Sequence, residues 1–340
     1  MNINIKKKFI FIIFLVLFSS PSQFAQEHLR IVSCTPNWTN TVAVLGATDN
    51  LVGVTRYCIF PDSIPRLVEN GKLEVIGGFV DINKSRIMEL KPDLVLTSSG
   101  IQEKLRDYFI EHGIKVIHMN LNSLDEVYGD IIKLGEAINK KSNATELVAN
   151  IKDELIQVES KYKDLPRVSV YYEINYFYKC VPGQDDFMTE LIKIAGGDPI
   201  FSDRPGVAPS VTWEEVVKAN PDVILLPLWA NANGPYFEGK KAGYGTTTPN
   251  EVANRPGAKN IKAVINGKVR YIDSAKTKQA GPQISVAADL FGKAIHADGD
   301  YELLKLDKVP DNMETLLSFF VPFVNSMNIC FLQQYEVVGN

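Results

Sequence analysis

The sequence predicts an α/β protein of two similar lobes with mainly parallel sheets, joined by one long linker helix, with a ligand cleft between the lobes. Three observations carry this expectation. From Arg30 onward short apolar runs alternate with helical segments, the pattern of βα units that feed a mainly parallel sheet. In mid-chain, Leu147, Ile151, Leu155, Val158 and Tyr162 step by four, four, three and four, a single helical stripe. The grammar of the first half then returns in the second. Lys91-Pro92-Asp93-Leu94-Val95-Leu96 is answered by Asn220-Pro221-Asp222-Val223-Ile224-Leu225, and in each a proline ends a helix before an apolar run enters a sheet.

The N-terminus stands outside this pattern. Lys6, Lys7 and Lys8 precede an unbroken apolar run from Phe9 to Phe18, followed by Ser19, Ser20, Pro21 and Ser22. A basic head, a short apolar centre and a small-residue exit describe a secretory signal peptide. The apolar run is shorter than the roughly 20 residues a membrane span needs. Residues 1–25 are therefore read as a signal peptide cleaved near Ala25, although Gln23 stands where a small residue is preferred, and the mature chain as periplasmic. Ile31-Val32-Ser33-Cys34 has the look of a lipoprotein box, but Glu27, His28 and Arg30 separate it from the apolar run, so Cys34 is read as a strand residue and the mature protein as free of lipid.

The expected organisation continues with an N-terminal lobe over 27–140, a linker helix over 141–165, a C-terminal lobe over 166–300 and a tail over 301–340 packed on the second lobe. In the first lobe, strands are predicted at Ile31-Val32-Ser33, Leu51 to Val54, Asp93 to Leu96 and Lys115 to His118, with helices over Thr39 to Leu45 and Lys104 to His112. Asn143 followed by Glu146 reads as a capping-box start for the linker helix, and Pro166 marks its exit. In the second lobe, Val168 to Tyr172, Asp222 to Leu226 and Lys268 to Asp273 read as strands. Phe187 to Ala195 and Ile284 to His296 read as helices, and Thr212 with Glu215 as a capping box. A linker in the form of one stiff helix implies a cleft that closes only modestly.

Composition narrows the function. The formal net charge is −4, and removing the three signal lysines leaves 33 basic against 40 acidic residues, a net of about −7. That balance argues against nucleic acid or an anionic membrane surface as the main partner. Cys34, Cys58, Cys180 and Cys330 show no CxxC or Cys/His spacing, which argues against structural zinc. Cys34 and Cys58 both fall near strand ends of the first lobe, and the sequence leaves their pairing open. No GxSxG, P-loop, HExxH or GxGxxG occurs. His28, His112, His118 and His296 are scattered without ligand spacing, so neither a resident metal nor a cofactor is expected, and the chain reads as a binding protein rather than an enzyme.

The unusual feature is the loops that follow the strands. In parallel sheets ligands bind beyond the carboxyl ends of strands. Those loops hold Trp38, Arg56 with Tyr57, Phe79, Tyr178, Trp229, Tyr236 and Tyr244, a set suited to gripping a flat, largely apolar ligand. An enzyme on the same two-lobed scaffold is the alternative of a different class. It would need clustered acids, bases or metal ligands in the cleft, where the loops offer mostly aromatics.

Arg30-Ile31-Val32-Ser33 with Pro36, Leu45-Gly46-Ala47, Leu51 to Thr55, and Tyr57-Cys58 with Pro61 resemble the opening of the helical-backbone metal-chelate binding proteins. Gly77-Gly78-Phe79, Pro92 to Val95, Ala195-Gly196-Gly197 and Trp213-Glu214-Glu215-Val216 continue the series in order, from about residue 30 to about 297. The resemblance implies a solute-binding protein of an ABC importer, monomeric, delivering cobalamin, a ferric siderophore or heme to a permease dimer. It also implies a docking glutamate at the tip of each lobe, falling on Glu214 in the second. In the first lobe the corresponding place is Ser85, flanked by Lys84 and Arg86, with Asp81 the carboxylate offered as its substitute. Among the chelates, a neutral, amide-fringed corrinoid suits the aromatic walls. A trianionic catecholate would call for several convergent arginines, for which Arg56 and Arg204 are the cleft candidates, and heme would call for an axial Tyr or His.

Overall fold

A computed structural model describes residues 29–174, 179–228 and 248–297. The expected signal peptide, the expected tail on the second lobe, and Tyr178, Trp229, Tyr236 and Tyr244 lie outside the described residues.

In chain order the first lobe comprises β1 (Ile31–Ser33), α1 (Pro36–Val44), β2 (Leu51–Val54), α2 (Ser63–Glu69), β3 (Glu74–Val75), α3 (Lys84–Glu89), β4 (Leu94–Ser98), α4 (Glu103–Glu111), β5 (Lys115–Met119) and α5 (Leu124–Ala137). The linker helix α6 runs over Lys141–Tyr162. The second lobe follows with β6 (Val168–Tyr172), α7 (Phe187–Ile194), β7 (Gly197–Pro199), α8 (Trp213–Ala219), β8 (Val223–Leu228), α9 (Pro249–Ala253), α10 (Lys262–Ile265), β9 (Val269–Asp273), α11 (Ser274–Thr277) and α12 (Ile284–His296).

The first sheet is five-stranded in the order β3-β2-β1-β4-β5, the second four-stranded in the order β7-β6-β8-β9. Every strand pairing within both sheets is parallel. The apolar runs are short and continuous because both faces of each sheet are covered. Ile31, Leu94 and Leu96 face one buried cluster while Val32 and Val95 face another. In the second lobe Val170, Tyr172 and Leu225 look one way and Tyr171, Ile224 and Leu226 the other.

The repeated proline segments behave as read. Asn83 caps α3 by accepting from Arg86 N, and Thr212 caps α8 by accepting from Glu215 N in a full capping box. Both helices end on a residue of positive φ before proline, Lys91 at +47° and Asn220 at +50°. The linker helix differs from its expected start. It begins at Lys141 with Lys140 as N-cap and no side-chain cap, and Asn143 lies inside the helix, its Nδ2 3.5 Å from the Leu45 carbonyl. The Asn143–Glu146 pair therefore does not form a capping box. Cys34, Cys58 and Cys180 are free thiols, so no Cys34–Cys58 bridge is present. Cys58 is instead held 3.1 Å from the hydroxyls of both Thr39 and Thr55.

The linker, about 33 Å long at 1.5 Å per residue, is clamped to both lobes through two glycines. A Cβ on Gly135 of α5 would overlap Ala144 and come within 3.0 Å of the Lys140 carbonyl. A Cβ on Gly292 of α12 would overlap the Tyr162 ring. Lys161 pairs with Asp289 at 2.8 Å, and the Tyr162 hydroxyl donates to the same carboxylate at 3.0 Å. One apolar cluster, including Val42, Leu134, Ile151, Leu155, Tyr172 and Phe291, consequently runs from the first lobe through the linker into the second. Backbone bonds also cross directly: Phe187 N donates to the Leu121 carbonyl at 3.1 Å, and Leu124 N to Glu190 at 2.8 Å.

Two glycines of α5 offer a matched test of this seam. Gly135→Val should lower stability by about 2–3 kcal/mol through overpacking. Gly129→Ala on the same helix has no atom within 4 Å of the added Cβ, and should be neutral or stabilising by roughly 0.5–1 kcal/mol. Denaturant midpoints of the two variants against the unaltered chain measure the difference.

Candidate functional site

Each sheet has one point where the strand order reverses, between β1 and β4 in the first and between β6 and β8 in the second. The crevices outside the carboxyl ends of those strands are where such sheets receive ligands.

In the first lobe the crevice is built around Gln102. Its side-chain carbonyl accepts from Ser98 N at 3.0 Å, while its amide donates to the carbonyls of Cys34 and Phe79, both at 3.0 Å. One buried side chain thus ties the ends of β1 and β4 to the loop that carries Phe79. The residue just after β4, Ser99, holds φ +63° and ψ +161°, a region ordinarily open only to glycine and sparsely used outside functional loops. Gln102 carries no sequence signal that sets it apart from other helix-start glutamines.

Arg56 and Tyr57 follow β2. The Arg56 guanidinium lies 5.2 Å from the Tyr57 ring centroid and pairs with Asp81 at 2.6 Å. This hydrogen bond holds the Asp81 carboxyl below the usual carboxylate range. Gly78 lies beneath the pair, where a Cβ would overlap the Asp81 carboxylate and come within 2.5 Å of the guanidinium. Tyr57 is 37% exposed and Phe79 half-buried, so both present surface at the crevice rim. Trp38 does not. Pro36 at the first helical position starts α1 three residues earlier than expected, which turns Trp38 inward. It is fully buried, its indole N–H donating to the Thr97 carbonyl at 2.7 Å, and it is a core residue rather than a cleft wall.

In the second lobe the end of β6 carries a charge network absent from the expected site. Glu173, fully buried, receives two hydrogen bonds from Arg255, at 2.7 and 3.1 Å, and a third from the Tyr171 hydroxyl at 3.0 Å. Arg255 also binds Glu251 at 2.7 Å and lies 4.7 Å from the Trp213 ring. Burial works against its charge, and the bonds to Glu173 and Glu251 more than offset that penalty. Lys179 stands in the same field, its amine pushed down by partial burial. Arg204, the other expected cleft cation, is taken up by Glu215 at the start of α8.

Two further ionisable groups lie in the second lobe, Asp186 buried and Lys278 partly so. Lys278 donates to the Ile174 carbonyl at 2.7 Å, and burial pushes its amine down to about 7. Asp186, the N-cap of α7, is pushed up to about 8 by burial. Glu214 is exposed in the first turn of α8, and Ser85 occupies the equivalent second position of α3. His112 bonds the Tyr108 carbonyl and His118 the Thr97 hydroxyl, so both serve the scaffold. Among the described residues no group of three or more His, Cys, Asp or Glu is placed to hold a metal ion.

Residues 31–275 match the periplasmic binding protein family. The chain belongs to that family. Relatives of this periplasmic binding protein include the ABC transporter substrate-binding lipoprotein YvrC of Bacillus subtilis, 28% identical over 80% of this chain and 82% of that one. The periplasmic vitamin B12 binding protein BtuF of Vibrio cholerae shares its fold with a TM-score of 0.61 at 22% identity, covering 83% of this chain and 98% of that one. A periplasmic heme binding protein from Pseudomonas aeruginosa does so with a TM-score of 0.63 at 16% identity, over 79% and 93%.

The Glu173–Arg255 pair predicts how this binding protein fails when a partner is removed. Arg255→Met removes both charge-assisted hydrogen bonds that this arginine gives the buried Glu173, and should cost about 3–5 kcal/mol. The same change made together with Glu173→Gln should recover most of that loss, read from a double-mutant denaturation cycle.

Proposed function

We propose that the protein is the extracytoplasmic substrate-binding component of an ABC importer and that its cleft takes a corrinoid. The observation that carries the choice of ligand is the neutralisation of the arginines. Arg56 is matched by Asp81, Arg204 by Glu215, and Arg255 by Glu173 and Glu251. A trianionic catecholate would have to displace these carboxylates, at a large desolvation cost for Glu173. A neutral disc with an amide fringe needs no such displacement, and finds apolar surface on Tyr57 and Phe79. The relatives support the same class, one of them a vitamin B12 binding protein and one an ABC transporter substrate-binding lipoprotein. Trp229, Tyr178, Tyr236 and Tyr244 complete the proposed aromatic walls. The basic head and apolar run of residues 1–25 supply the export signal this reading requires.

Heme binding is the second reading, favoured by Tyr57, whose exposed ring stands beside a guanidinium. Calorimetry with cobalamin and cobinamide, with hemin and a ferric siderophore as competitors, separates the two. The expected result is sub-micromolar corrinoid binding, weakened at least roughly tenfold by Tyr57→Ala, as for loss of a buried aromatic contact. Tight hemin or siderophore binding with no heat from corrinoids would replace the ligand and keep the transport role.

Docking on the permease is proposed to use Glu214, with Asp81 as the first-lobe carboxylate. Glu214→Lys should leave ligand affinity unchanged and abolish stimulation of the transporter ATPase, because an attractive contact becomes a like-charge clash. Undiminished stimulation would reduce Glu214 to part of a helix start.

A further inference from the structure

A groove on the outer face of the linker helix belongs to neither the cleft nor the lobe tips. It has a volume of about 280 Å³ and is lined by Leu124 and Tyr128 of α5, Leu155 and Ile156 of α6, and Ile194 of α7, together with Lys152 and Glu159 of α6. Lys152 beside it has its amine 4.7 Å from the Tyr128 ring centroid, so its charge is spent on the aromatic face. Ile156 is 59% exposed. An apolar groove that joins the first lobe, the linker and the second lobe is an unfavourable surface to leave in water.

The course of the chain points to its occupant. The last described helix ends at His296, which stacks on Tyr162 with ring centroids 5.3 Å apart and has Nε2 3.0 Å from the Ala195 carbonyl. Ala195 follows groove residue Ile194, and Tyr162 lies six residues beyond Ile156 on the same helix, about 9 Å along its axis. Ala297, the last described residue, therefore lies near one end of the groove. No charged residue occurs from Thr315 to Tyr335, a stretch that holds Leu316, Leu317, Phe319, Phe320, Val321 and Phe323. The residues between Ala297 and Thr315 reach up to about 55 Å when extended, several times the distance required.

We propose that the apolar segment from Leu316 to Leu332 seats side chains in this groove and straps the linker helix to both lobes. Such a strap buries the exposed Ile156 and covers the segment's own phenylalanines in one contact, and it opposes relative movement of the lobes.

The full-length chain tests this with a photo-reactive benzoylphenylalanine in place of Ile156. The expected cross-link is intramolecular, to peptides between residues 313 and 335, with the product migrating as a monomer. Cross-links to a second copy, or the absence of any to that stretch, would overturn the proposal. In a second measurement, Ile156→Asp should speed proteolytic release of the tail roughly tenfold, since cleavage follows the population of the released segment. Ile110→Asp, an equally exposed site on α4, should leave the rate unchanged, and equal rates in both variants would sink the idea. Flotation of the unaltered chain with phosphatidylethanolamine–phosphatidylglycerol vesicles would assign the segment to a membrane instead.

Discussion

The close approach of the linker helix to both lobes is the constraint on which the rest of the molecule depends. The α5 backbone at Gly135 meets the Ala144 methyl, and the α12 backbone at Gly292 meets the Tyr162 ring, contacts that any larger residue would open. With the helix held at both ends, the central apolar cluster is continuous from Val42 to Phe291, and neither lobe has a complete core without it. Packed interiors transmit displacement rather than absorb it. A rotation of one lobe must therefore carry α6 with it or break the seam. The direct bonds from Phe187 to Leu121 and from Leu124 to Glu190 add a second attachment. Both sets of contacts oppose relative movement of the two lobes.

The charged groups at the two crevices are held by partners in the same way. They are arranged in advance and carry their own partners: Arg56 with Asp81 over Gly78, Arg255 between Glu173 and Glu251. Each pair is fixed before any ligand arrives, so these charges need no new partner to be satisfied. The backbone outlier at Ser99 and the three-way clasp of Gln102 serve the same end, fixing the loops beyond β1 and β4 against each other.

Much of this scaffold was legible in the sequence, and the reasons are local. Strand β6 and helix α12 coincide with the apolar run Val168 to Tyr172 and the segment Ile284 to His296, because hydrophobic periodicity and chain punctuation agree there. Helix α5 was not anticipated, although Ser123 caps it by accepting from Glu126 N, a Ser-x-x-Glu start readable from composition alone. At the linker the same kind of signal misled: Asn143 and Glu146 have capping spacing, but tertiary packing of Ala144 on Gly135 draws the preceding turn into the helix. The pattern of apolar residues alone puts Trp38 in a loop, whereas Pro36 begins α1 and turns it into the core. The Glu173–Arg255 pair could not be read at all. Its members are 82 residues apart, and only the fold brings them together.

The two lobe tips show how a repeated scaffold carries different surfaces. Helices α3 and α8 share an N-cap that accepts from the third helical residue, a positive-φ ending and a following proline. Their first turns nevertheless read Lys84-Ser85-Arg86 and Trp213-Glu214-Glu215. Carboxylates suit the positive end of a helix and cations oppose it, so α8 needs no help while α3 needs local compensation. It receives it. Arg86 is bound by Glu74 and Glu89, and Lys84 lies 4.4 Å from the Tyr108 ring centroid. Glu215 is spent on the capping box and on Arg204, which leaves Glu214 as the carboxylate turned to solvent. Equivalent backbone positions thus expose a hydroxyl at one tip and a carboxylate at the other, and any partner that spans both must meet different chemistry at each.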